Sequence, residues 1–157
     1  MKPKKAQAVL SVKRHSMQLT VKQLVEDYMY RIDTDADYQR EKVWSKSDQE
    51  LLLDSIVKDI DIPKLYLAKL QGDKKFEFEC IDGKQRLLTL STFCKPDPDD
   101  SVELHIEILN KQYTYKQLEQ HHPTIAKSID DYTLDLVVYD EANLTDGFVR
   151  EIFKRLQ

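Results

Sequence analysis

The residues best placed to do chemistry are Asp82-Gly83-Lys84-Gln85-Arg86, which join an apolar stretch ending at Ile81 to another running to about Phe93. The pattern predicts a strand over residues 76–81, a turn at Asp82-Gly83 and a helix to about Phe93. Two readings of the run stand side by side. In one, Asp82 and Gln85, three residues apart, form a capping pair for amides that the helix start leaves free. In the other, the run is an anion site. Lys84 and Arg86 fall in the first helical turn, where the macrodipole is positive and each cation costs about 0.3–1 kcal/mol. A bound anion offsets that cost, and Gly83, one of three glycines in the chain, lets backbone approach it closely. A phosphate suits such a site, although the spacing is not the G-x-x-x-x-G-K-[ST] of a Walker A loop.

Two further constellations carry charge. Tyr38-Gln39-Arg40, followed by Trp44, reads either as a packed aromatic pair around a solvated arginine or as more ligand contacts, since guanidinium holds phosphate oxygens bidentately. Arg150, Lys154 and Arg155 lie on a helix expected from about residue 145. They form its solvated outer face opposite a stripe of Phe148, Ile152, Phe153 and Leu156. Asp97, Asp99 and Asp100, interrupted by prolines, read as a solvated loop rather than a two-metal nuclease site.

These residues need a scaffold, and 157 residues with 41% hydrophobic and 33% charged side chains suffice for one globular domain with its own core. No apolar run approaches the roughly 18 residues of a spanning helix. The basic start, Met1-Lys2-Pro3-Lys4-Lys5, is not followed by a signal-peptide core, so a cytoplasmic location is expected, with no membrane partner. Cys80 and Cys94 have apolar neighbours and read as buried free thiols, with no zinc spacing. A net charge of -4 argues against a domain that grips duplex DNA unaided.

Residues 1–15 are expected to form a basic, flexible arm and 16–157 the domain proper. A helix over residues 21–30 takes Thr20 as its N-cap. Residues 31–44 read as a loop. Ser47 and Glu50 suggest a capping box for a helix to about residue 59, with Leu51, Leu52, Ile56 and Ile60 as its apolar face, stopped by Pro63. A strand over residues 64–70, a turn at 71–74 and the 76–81 strand make a hairpin. After the 95–100 loop come a strand (102–109), a short helix (115–121, ending at His121-His122), a strand (132–139) and the last helix. This order is α+β, a small mixed sheet with flanking helices.

Taken in register, Tyr38-Gln39-Arg40…Trp44, Ile62-Pro63, Ile81-Asp82-Gly83-Lys84-Gln85-Arg86 and Phe153-Lys154-Arg155-Leu156-Gln157 resemble the N-terminal domain of GmrSD-type restriction endonucleases. The likeness is good over about residues 16–95 and returns at the C-terminal end. It implies a ParB/sulfiredoxin-like fold and a domain that binds, and often hydrolyses, a nucleoside triphosphate, with Mg2+ expected alongside it. It also implies modification-dependent DNA restriction and phage defence, with an HNH-type nuclease region following, so the chain is expected to be part of a longer protein that meets DNA as a whole. By position, Asp82, Gln85 and Arg86 would be catalytic. Tyr38, Gln39, Arg40, Gly83, Lys84 and Arg155 would bind the nucleotide. Lys84 replaces the family's usual glutamine, adding charge to the anion site. A DNA-binding module without nucleotide chemistry is the alternative. A sulfiredoxin-like redox enzyme would need a cysteine where Lys84 stands.

Overall fold

A computed structural model of the chain describes residues 13–35, 42–72, 75–100, 102–140 and 146–157. Its centre is a mixed five-stranded sheet in the order β1-β7-β3-β4-β2. The strands are β1 (Arg14–Thr20), β2 (Ile32–Asp33), β3 (Leu65–Lys69), β4 (Phe78–Asp82) and β7 (Thr133–Tyr139). β1 runs antiparallel to β7, β7 parallel to β3, β3 antiparallel to β4, and β4 parallel to β2. The architecture is α+β, as the order of elements implied.

Side chains alternate across the strands, so the sheet has two apolar faces. Leu65, Leu67, Cys80, Leu134, Leu136 and Val138 enter the larger core. It is covered by α1 (Val21–Gln23), α2 (Lys46–Val57), α3 (Lys84–Cys94), α4 (Tyr115–His121) and α5 (Pro123–Asp130). Ala68 and Ile81 face the other way, onto Val149 and Ile152 of α6 (Asp146–Leu156). The apolar stripe expected on α6 is therefore real but shifted: Val149 and Ile152 are its buried centre, and Phe148, Phe153 and Leu156 are its partly buried rim.

Several expectations are corrected. Arg14 and His15, placed in the arm, begin β1; residues 1–12 lie outside the described residues. Thr20 caps α1 through a reciprocal box with Gln23, but the helix passes into a π turn (Leu24–Tyr28) and a 3-10 turn (Met29–Arg31). Within the expected loop, Ile32–Asp33 pairs with β4.

The cap of α2 is Ser45 with Asp48, not Ser47 with Glu50; Glu50 instead accepts from the His105 amide. Its buried face is Leu52, Leu53 and Ile56, whereas Leu51 is 65% exposed. Pro63 does not end it. Asp59 adopts φ 56, and Ile60 N–H and Asp59 N–H return to the carbonyls of Ser55 and Ile56, a Schellman turn that throws Ile60 out of phase. The 102–109 strand is a hairpin, β5 (Ile106–Ile108) and β6 (Lys111–Tyr113). Its turn residues Leu109 and Asn110 both have positive φ. Pro123 opens α5 from the first helical position, where its missing N–H costs nothing.

Candidate functional site

The site begins where β3 and β4 lose register. Tyr66 pairs with Asp82 and Leu67 with Cys80, leaving Ile81 as an extra residue. Such a bulge re-aims the side chains that follow it. Asp82 thereby shares Tyr66's side of the sheet, beneath the end of α6, and its Oδ1 accepts a 3.4 Å bond from Gln157 Nε2.

Gly83 then reverses the chain with φ 110 and ψ 14 and is the N-cap of α3. Any other residue would be strained at that φ. A Cβ there would overlap Leu65 Cδ2 and lie 3.1 Å from Arg86 Nη2. The capping-pair reading of Asp82 and Gln85 is overturned, because Asp82 is the last residue of β4 and no side chain among the described residues caps α3. The first turn of α3 also contains no acidic residue.

Arg86 crosses back over this turn. Its side chain is 12% exposed, with Nη2 3.6 Å from Asp82 Oδ2, and it donates to the Lys64 carbonyl at 2.9 Å. Its Nε is buried without a hydrogen-bond partner among the described residues. A buried donor without a partner costs about 1–3 kcal/mol. Lys84 Nζ lies 3.5 Å from Asp35 Oδ1. Gln85 points inward, 7% exposed, and its Oε1 accepts from the Trp44 amide at 3.1 Å. The described residues on either side of the 36–41 segment are thus both fastened to the first turn of α3.

The structure brings Asp82, Gly83, Lys84, Gln85 and Arg86 into one place. Tyr38, Gln39 and Arg40 lie outside the described residues. Arg155 is separate: it is 76% exposed and its Nε donates to Glu151 at 2.9 Å. Lys154 and Arg150 are likewise exposed, as a solvated outer face requires. Sequence reasoning missed Lys64, Asp35 and Gln157, which meet the site through a carbonyl or a side chain and carry no local signal.

A family model for the GmrSD restriction endonuclease, N-terminal domain, matches residues 21–156. The chain belongs to this family. The match begins just after β1, and this GmrSD N-terminal domain carries its Asp82–Arg86 turn within the matched region. No curated protein and no solved structure matches it. Among the described residues no helix is long and apolar enough to cross a membrane. Nor does any cluster of three or more His, Cys, Asp or Glu residues there suit a metal ion.

Proposed function

We propose that this domain binds a nucleoside triphosphate, seats its phosphates on the first turn of α3, and hydrolyses it to regulate a modification-dependent DNA restriction and phage-defence protein. The observation that carries the reading is a helix start with no side-chain cap among the described residues and no acid in its first turn, bearing Lys84 and the half-satisfied Arg86. Gly83 holds the turn, the amides of α3 and the two cations neutralise the phosphate, and Asp82 faces Arg86. The Mg2+ expected with the nucleotide is held chiefly by phosphate oxygens, as this small hard cation often is; no protein cage for it exists among the described residues. By resemblance, Tyr38, Gln39 and Arg40 add contacts, and Arg155 contributes only by leaving Glu151. The α+β order with a mixed sheet fits the ParB/sulfiredoxin-like fold, and the cytoplasm is where a restriction protein meets incoming DNA.

The test is a thermal-shift screen with ATP, GTP, CTP and UTP, with and without magnesium. At one hundred times its dissociation constant a ligand adds about 2.7 kcal/mol, or roughly 5–11 °C for a domain of this size. The shift is expected for one nucleotide and absent in Arg86→Ala. No shift with any nucleotide, together with duplex binding that collapses with salt, would replace this reading by a DNA-binding module.

A further inference from the structure

Gln85 is one of two buried polar residues among those described; the other, Thr89, donates its hydroxyl to the Gln85 carbonyl at 2.7 Å. A primary amide in an apolar setting is costly unless bonded, and a methionine or leucine would fill the same space more cheaply. The partner that justifies it is distant in sequence: Oε1 accepts from the Trp44 amide at 3.1 Å. Trp44 in turn precedes Ser45, the N-cap of α2, and its ring packs against the larger core. One side chain therefore links the first turn of α3 to the residue before the N-terminus of α2.

We infer that Gln85 is a positioning residue rather than a catalytic one: it holds the Trp44 main chain, and with it the start of α2, against the phosphate-binding turn. This rests on the nucleotide reading above for its functional consequence, but not for its structural core. The Gln85 acceptor is already engaged inside the protein, so the side chain acts on a ligand through Trp44. Losing it frees the strand of chain beside the phosphate seat and weakens binding without removing a direct contact.

The experiment compares wild type, Gln85→Met, which removes the acceptor at similar volume, and Gln85→Glu, which retains it. Amide exchange at Trp44 is read by NMR without nucleotide. Trp44 lies outside any helix or strand, so its protection in wild type reports the bond. Q85M should exchange about fivefold faster or more, and Q85E should stay near wild type. Emission of Trp44, the chain's one tryptophan, should shift to the red in Q85M alone. Wild-type exchange as fast as free chain, or equal protection in folded Q85M, overturns the link, and the wild-type measurement decides even if Q85M does not fold. Titration with magnesium and whichever of the four nucleotides wild type binds should show weaker binding in Q85M. Undiminished affinity in Q85M with Trp44 released overturns the positioning role. If wild type binds none of the four, the nucleotide reading fails while the exchange data still judge the link.

Discussion

Replacing Gly83 with alanine tests the turn most directly. Two penalties add. The backbone sits at φ 110, a region where a residue with a Cβ is strained by about 1–3 kcal/mol. The new Cβ also overlaps Leu65 Cδ2, and Leu65 is 1% exposed within the larger core, so it can yield only by overpacking, at about 1–3 kcal/mol. A loss of about 2–6 kcal/mol follows, large against the 5–15 kcal/mol typical of a domain, and equivalent to roughly 4–24 °C in Tm. Gly72 supplies the control, with φ 77 and nothing within 4 Å of the added Cβ. It suffers the backbone strain alone. Chemical denaturation of the two variants beside wild type separates the terms. Equal losses in G83A and G72A would refute the steric argument, and a G83A protein as stable as wild type would refute the turn geometry itself.

Two further outcomes follow from the same reasoning. Ser45→Ala should cost about 0.5–2 kcal/mol through loss of the α2 cap, while Ser47→Ala should stay within about 0.5 kcal/mol; denaturant midpoints decide, and the reverse order would restore the Ser47 box. Alkaline pH should destabilise the fold. Burial first, then the charges of Asp130 and Glu119, push the Cys94 thiol up from 9.0 to about 12, and Tyr115 and Tyr132 are also raised, chiefly by burial. The unfolded chain then loses these protons before the folded one does, so stability present below pH 9 is lost as pH climbs towards 12. A midpoint that holds steady from pH 8 to 11 would contradict it, as would rapid labelling of Cys94 by a disulfide reagent at pH 8.

The β3–β4 hairpin and α3 were legible because period-2 and period-3.6 patterns meet at an unmistakable Asp-Gly turn. What the residues do at that turn was less so. Asp82 looked like a cap by spacing, but a bulge at Ile81 turns it towards α6, and bulges leave no mark in apolar periodicity. The face of α2 was misread because both Leu51 and Leu53 satisfy helical spacing from Ile56 to within a residue, and only packing against α3, α5 and β5 chooses. β1 escaped notice because it is an edge strand, where Met17 and Leu19 alone turn towards the larger core. The β5–β6 turn was hidden by Leu109, which is 90% exposed at φ 51, where asparagine or glycine is the usual signal.

The two cations of the site are held so differently that their roles should separate. Lys84 pairs with Asp35 at 3.5 Å, and that carboxylate is 89% exposed, so the pair contributes about 0–1 kcal/mol and is readily exchanged for a phosphate. Arg86 is nearly buried, bonded to the Lys64 carbonyl and facing Asp82; its removal strands a half-buried carboxylate, at a cost below the roughly 3–5 kcal/mol of a fully buried pair. Lys84→Ala should therefore leave Tm within a few degrees of wild type while lowering nucleotide affinity and flattening its salt dependence. Arg86→Ala should lower both affinity and Tm. Isothermal titration at two salt concentrations, beside calorimetric melting, reads all four quantities. A Lys84→Ala protein that melts early but binds normally would make Lys84 a structural residue, and would leave the cation at the start of α3 explained by Asp35 rather than by an anion.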